Sequence, residues 1–469
     1  MKIIAVRRTF MREHIIDTKK TGNDLDIGRF AAGQGGLSPE PMIDMHTREL
    51  RNLNFKIIRL FIQEYFNLYP KKGVYNWEIL DRSVDAIMAT GAKPLMCIVF
   101  KPKLLFPKID HTIVTPNDWK QWEKLVYELV KHYNVDKKYG IEYWEVANEP
   151  NIGEYGGCPY LFTAKNYPKF YEHTIKAIRK ADPKAKVGGP ALAGFEPPKK
   201  SNVLYSYTGD ILAGLLKYCS KNKLPLDFVS WHIYSDDPGE FKRSIIYVKK
   251  LIKKNKLNCE TSINEWNVGF NSILQNVNNP EVQPCFIVEV VNHMIEQGLS
   301  NCCFYHIRNV NGPKETYNFL SNDRAVIATD GQNYGFTLLG MFDYQGVPKP
   351  AFFAFKMLSR LIGRQIKVKQ IGKNVKVLAT YDDKMDLVSA VVWNFKVKGA
   401  KPEKVNLKFI NINEAGGLYS RYMLDAKTDS NMEDDRMKLV KLDKPARVKE
   451  IKDSFILPPY GVAQIVYKG

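Results

Sequence analysis

Between residues 27 and 361, short apolar runs rich in β-branched and aromatic residues alternate with segments of helical period. The runs are Arg29–Gly33, Lys56–Phe61, Pro94–Phe100, Ile141–Ala147, Lys186–Pro190, Asp227–Tyr234, Glu260–Glu265 and Asn301–Ile307. Parallel strands need crossovers of a dozen or more residues, and most of these intervals supply them. Thr115-Pro116-Asn117-Asp118 offers a helix cap with Pro at the first position. Behind it Trp119, Trp122, Leu125, Val126, Leu129 and Val130 recur at helical spacing. Eight strands with interleaved helices, and no Gly-rich phosphate loop after an early strand, predict an α/β (β/α)₈ TIM barrel over residues 22–362.

After residue 365 the rhythm changes. Gln365–Ile371, Val375–Tyr381, Leu387–Asn394, Val405–Ile412 and Phe455–Tyr467 read as strands, with turn-formers such as Asp382-Asp383 and Pro458-Pro459 among them. No convincing helix intervenes, so residues 363–469 are expected to form a smaller C-terminal β-sandwich. A strand within residues 1–15, around Lys2–Arg8, is expected to join it.

A length of 469 residues suits two domains better than one core. The formal charge of +19 raises nucleic acid, a membrane surface or an acidic substrate as partners. Residues 366–469 hold 20 basic and 13 acidic residues, so the surplus is shared along the chain. Lys249, Lys250, Lys253 and Lys254 read as the wet face of a helix. A solvated basic surface is favoured, with neither nucleic acid nor membrane as partner. The start, MKIIAVRRTFMREHIID, has no apolar core of signal-peptide length, so a cytoplasmic protein is expected. Seven cysteines without CxxC spacing predict reduced, buried thiols, and the eight histidines form no ligand motif. No metal and no cofactor are expected.

Two segments place a carboxylate at the carboxyl end of a predicted barrel strand, where such barrels carry their sites. They are Tyr143-Trp144-Glu145-Val146-Ala147-Asn148-Glu149-Pro150-Asn151 and Ser262-Ile263-Asn264-Glu265-Trp266-Asn267, ending strands 4 and 7. Glycoside hydrolysis needs two carboxyl groups facing one anomeric carbon, one protonated and one ionised. Glu149 and Glu265 are therefore the candidate pair, and Glu142, Glu145 and Glu154 are read as structural charges.

Further stretches strengthen that reading. They are Tyr75–Asp81, Val187–Ala191, Asp227–Tyr234, Gly335-Phe336, Pro348-Lys349-Pro350 and Phe355. With the two Glu motifs they resemble glycoside hydrolase family 39, the β-xylosidase and α-L-iduronidase family of clan A. The resemblance implies a retaining glycosidase acting through a covalent glycosyl-enzyme, with Glu149 as acid/base and Glu265 as nucleophile. It implies that Asn148 bonds the sugar 2-hydroxyl, that His232 and Tyr234 line the nucleophile's side, and that Arg59 orients the nucleophile. Tyr305 and Trp266 join them as candidate sugar contacts.

The chain departs from the family's xylosidases in three places. Arg59-Leu60-Phe61 stands where Arg-Gly-His is usual, Cys97 replaces a Glu on strand 3, and strand 8 reads Phe304-Tyr305-His306-Ile307-Arg308-Asn309. Arg308 has two readings: an ion pair with a helix acid outside the cleft, or a fork for a uronate carboxylate. The expected partner is a glycoside or oligosaccharide, with a β-xyloside as first expectation and a uronic-acid-containing glycoside as alternative. A non-catalytic carbohydrate-binding barrel is a reading of another class, opposed by the presence of both carboxylates.

Overall fold

The structure is a computed structural model that describes all residues except 1–12, 35–40, 42, 195–206, 270–280, 310–316, 331–338, 369–373, 414, 427–439 and 442–445. The expected strand at Lys2–Arg8 and the Gly335-Phe336 motif lie outside the described residues. The chain divides into two compact units, one of 28–273 and 293–349, the other of 1–27, 274–292 and 350–469.

The first unit is a closed barrel of eight parallel strands. These are β1 Phe30–Gln34, β2 Ile57–Ile62, β3 Lys93–Ile98, β4 Tyr143–Val146, β5 Lys186–Leu192, β6 Phe228–Tyr234, β7 Glu260–Asn267 and β8 Asn301–Tyr305. Most of their residues are buried, as expected of strands packed on both faces. Each expected apolar run falls on its strand, with ends shifted by one or two residues. Between them run α1 Thr47–Asn52, α2 Glu78–Ala89, α3 Trp119–Val130, α4 Tyr167–Ala181, α5 Ile211–Asn222 and α6 Pro238–Lys254.

Local chemistry sets the helix starts. Asp118 caps α3 by accepting from the Gln121 N–H, so the cap is Asp118 and not Thr115. Asp210 and Asp237 cap α5 and α6, the latter with Pro238 at its first turn. Trp122, Leu125, Val126, Leu129 and Val130 form the buried face of α3, while Lys249, Lys250, Lys253 and Lys254 of α6 are exposed.

The second unit contains two sheets. His14–Asp17, Glu403–Ile410 and Ile451–Leu457 make one. The other runs Val440–Lys441, Gly417–Leu424, Val462–Lys468, Leu387–Asn394, Val375–Asp382, Arg364–Ile366 and Thr21–Asp24, with Ala446–Val448 beside Gly417–Leu424. One core takes Leu407, Phe409 and Ile451 from the first sheet and Val377, Val392 and Ile465 from the second, so the arrangement is sandwich-like. The expected strand Phe455–Tyr467 is two strands. The chain turns at Pro458–Gly461, with Tyr460 left-handed at φ 57°, and passes from one sheet to the other.

Residues 22–27, 274–292 and 350–362, which the sequence reading gives to the barrel, group with the sandwich. Glu289 bonds Trp393 Nε1 at 2.7 Å and pairs with Lys376. Gln464 donates to the Met357 carbonyl and accepts from Arg360. Among the described residues no helix is long and apolar enough to cross a membrane.

Candidate active site

At the end of β4 the backbone turns sharply. Ala147 and Glu149 both take left-handed φ values, 68° and 44°, which cost L-residues roughly a kcal/mol or more each. The Glu149 N–H is tied to the Ala191 carbonyl at 2.8 Å. This kink turns Asn148 and Glu149 inward.

β7 uses a different device. Trp231 pairs with Ile263 but His232 pairs with Glu265, so Asn264 is an extra residue opposite β6. Such a bulge re-aims side chains. Asn264 and Glu265 consequently both face the barrel interior, where Asn264 Nδ2 bonds Glu145 and Glu265 bonds Tyr234 and Arg59.

The two carboxyls meet at His232. One oxygen of Glu149, one of Glu265 and a His232 ring nitrogen lie within 4.8 Å of one another. His232 Nδ1 is 2.9 Å from Glu149 Oε1 and 3.7 Å from Glu265 Oε2. Burial, and after it the Arg59 charge, holds His232 well below its usual pKa, so the ring is neutral. Burial and then the Glu265 charge push the Glu149 carboxyl well above the ordinary carboxylate range. Burial raises Glu265 too, but there the Arg59 cation and the Tyr234 hydroxyl, 2.8 Å from Oε1, favour the ionised form. The pair is therefore polarised, with the proton on Glu149.

Behind Glu265 stands a buried network in which Arg59 also meets Glu145, a pairing the sequence reading did not make. Arg59 donates to Glu265 at 3.0 Å, to Asn148 Oδ1 at 2.6 Å, and twice to Glu145 Oε2 at 2.8 and 2.6 Å. Glu145 is fully buried and also accepts from Ser230 Oγ at 2.5 Å and from Asn264. A charge inside an all-apolar parallel strand must be paired, and β2 and β4 each carry one of opposite sign. That signal was present in Lys56–Phe61 and Ile141–Ala147. Asn148 Nδ2 donates to Cys158 Sγ at 3.0 Å, another unforeseen neighbour.

The site thus gathers Glu149, Glu265, Asn148, His232, Tyr234 and Arg59. Tyr305 is beside them: with Phe61, Cys97, Val99 and Leu339 it forms an apolar cluster on which Tyr234 packs. The departures at positions 61 and 97 therefore form part of an apolar wall. Trp266 is not in the site. One residue beyond Glu265, it faces outward, fully buried edge-on to Phe241 and Phe304. Arg308 donates to the Tyr344 carbonyl at 2.7 Å, with its backbone bonded to Gln34, and among the described contacts pairs with no helix acid and with neither Glu149 nor Glu265. The cation acting on Glu149 is Arg59.

Glu149, His232 and Glu265 have donor types that could hold a metal ion. The Arg59 cation, 3.0 Å from Glu265, opposes a divalent ion there. The seven cysteines are free, with only Cys259 less than fully buried.

Known proteins resemble this chain in sequence and in fold. A β-xylosidase of Geobacillus stearothermophilus is 30% identical over 192 residues, 38% of this chain and 34% of that protein. A β-xylosidase of Caldicellulosiruptor saccharolyticus is 24% identical over 359 residues, 71% of this chain. The chain spans 66% of the latter's length. Among solved structures, a family 39 enzyme from Xanthomonas axonopodis pv. citri superimposes with TM-score 0.76 at 17% identity, covering 99% of both chains. A monomeric β-xylosidase from Caulobacter crescentus does so with TM-score 0.74 at 19% identity, covering 98% of this chain and 99% of that one. The family model described as "Glycosyl hydrolases family 39" matches residues 45–413, the span that holds the whole carboxylate cluster, and the chain belongs to that family.

Proposed function

We propose that the protein is a retaining O-glycoside hydrolase acting on β-xylosides. The observation that carries the reading is the approach of Glu149 and Glu265 to within 4.8 Å in opposed environments. Retaining enzymes hold their carboxyls at about 5–5.5 Å, and inverting ones at about 6.5–9.5 Å. The β-xylosidase names of the relatives support the glycone.

In the first step Glu265 attacks the anomeric carbon while Glu149 gives its proton to the departing glycosidic oxygen. Glu265 becomes a neutral ester, and the charge that raised Glu149 disappears. Glu149, now ionised, takes a proton from water, which attacks the anomeric carbon and frees Glu265. Arg59 and Tyr234 hold Glu265 ionised and aimed. Asn148, pinned through its oxygen by Arg59, keeps an amide hydrogen for a sugar hydroxyl. Neutral His232 fills the space between the carboxyls without adding charge. Arg308 lies outside this set, which favours a neutral glycone over a uronate.

Two variants test the roles. Glu265→Ala should lose turnover of every aryl glycoside. Glu149→Ala should keep the glycosylation step for a dinitrophenyl leaving group, and azide should restore turnover through a glycosyl azide of retained configuration. Rescue of Glu265→Ala by azide with a retained glycosyl azide, or of Glu149→Ala with an inverted one, would exchange the two roles.

A further inference from the structure

Glu149 is covered by its own loop. After Pro150 the chain makes a short helical turn at Gly153–Gly156 and reverses at Gly157, φ 71°. A β-carbon at Gly156 would fall on Glu149 Oε2, well inside van der Waals contact. Its other nearest neighbours would be Ile152 Cδ1 at 2.9 Å and Glu149 Cδ at 3.1 Å. The space of the missing side chain is thus where the carboxyl sits. Gly156 has ordinary backbone angles, so the absence of a side chain serves this contact and not a left-handed turn.

The loop is held where it is. Glu154 accepts from the Ser321 N–H at 3.0 Å and hydroxyl at 2.8 Å. The Glu154 N–H donates to His111 Nδ1 at 3.2 Å. Arg324 stacks 4.0 Å from the Tyr155 ring centroid. Lys101 Nζ donates to the Pro159 carbonyl at 2.9 Å. An added methyl group would therefore displace the flexible end of Glu149 sooner than the anchored loop.

We propose that Gly156 is a positioning residue for proton transfer: its bare backbone holds the Glu149 carboxyl in line with the leaving group and shields it from water. The inference rests on Glu149 being the acid/base. Displacing the carboxyl removes protonation of the departing oxygen and leaves attack by Glu265 intact.

The test is Gly156→Ala assayed on aryl glycosides of graded leaving-group ability, beside Glu149→Gln. General acid catalysis contributes about 10²–10⁴-fold. For a poor leaving group kcat/KM of Gly156→Ala should fall about a hundredfold, and for dinitrophenyl by no more than about threefold. In a Glu149→Ala background the alanine meets only the flexible end of Ile152, whose Cδ1 lies 2.9 Å away, and should cause no further loss of kcat/KM on any leaving group. Failure of Gly156→Ala alone to fold, with folding restored by Glu149→Ala, supports the same contact. Equal losses on all leaving groups, or a further loss in the Glu149→Ala background, would overturn the proposal. If Glu149→Gln itself shows no leaving-group dependence, the acid/base assignment fails instead.

Discussion

Replacing Glu145 by Gln probes the buried network with least change of shape. Four donors converge on its two oxygens: Arg59 Nε and Nη2 on one, Ser230 and Asn264 on the other. The new amide would keep its oxygen toward Arg59, because an N–H there would meet two more. Its NH₂ would then face Ser230 and Asn264. Asn264 can adapt by flipping, since its Oδ1 is buried without a partner and would accept. What cannot be recovered is the charge opposite Arg59. Breaking one side of a buried ion pair costs about 3–5 kcal/mol, and the flip puts this variant near 3 kcal/mol. Glu145→Ala, which strands all four donors, should cost more. Activity should respond in a definite direction. Glu145 raises the Glu265 pKa by like charge, so its removal lowers that pKa. The acid limb of kcat/KM, set by ionisation of the free enzyme's nucleophile, should move to lower pH. Urea unfolding and a pH profile on an activated aryl glycoside measure both. A stability change under about 1 kcal/mol, or an acid limb that moves upward, would refute the account.

Other outcomes follow from the same geometry. Glu149 is raised by the Glu265 charge, so esterifying Glu265 with a fluoro-sugar should lower its pKa; a carboxyl carbon-13 titration that finds no fall contradicts this. Burial pushes Glu64, just after β2, up to about 7. Its folded pKa exceeds the unfolded value, so its contribution is complete below about pH 4.3 and is lost as pH rises to about 7, roughly 3 kcal/mol in all. Glu64→Gln should therefore gain stability relative to the parent by roughly that amount between pH 4.5 and 8, and a constant difference in urea unfolding opposes it. Arg308→Met should cost about 1–2 kcal/mol for its bond to the Tyr344 carbonyl, with the ratio of uronide to xyloside kcat/KM unchanged. A selective loss on uronides would revive the acidic glycone.

The barrel was legible because doubly buried parallel strands are apolar almost throughout, and the helices between them announce their faces. Glu149 and Glu265 were legible because their motifs end such strands. Trp266 could have been excluded by alternation alone, since a strand that turns Glu265 inward turns its neighbour outward. Glu145 and Arg59 could have been paired as opposite charges in adjacent buried surroundings. Asn264 could not be read, because only the bulge against β6 turns it inward beside Glu265. Nor could Arg308, whose position follows from a bridge to Phe342, or Gly156, whose partner is fixed by the anchored loop. The sandwich was read short: Phe455–Tyr467 is two strands, where Pro458-Pro459 already marked the change of sheet, and Gly417–Leu424 was not read as a strand at all.

The central claim is that Glu265 becomes covalently glycosylated. Once an aryl glycoside that turns over is in hand, its 2-deoxy-2-fluoro dinitrophenyl analogue should inactivate the enzyme with one equivalent of dinitrophenol released. Peptide mass spectrometry should then place the sugar on Glu265, and removal of reagent with added acceptor should restore activity. Inactivation with the label on Glu145 or Glu149, or turnover of the fluoro-sugar without any trapped ester, would contradict the account.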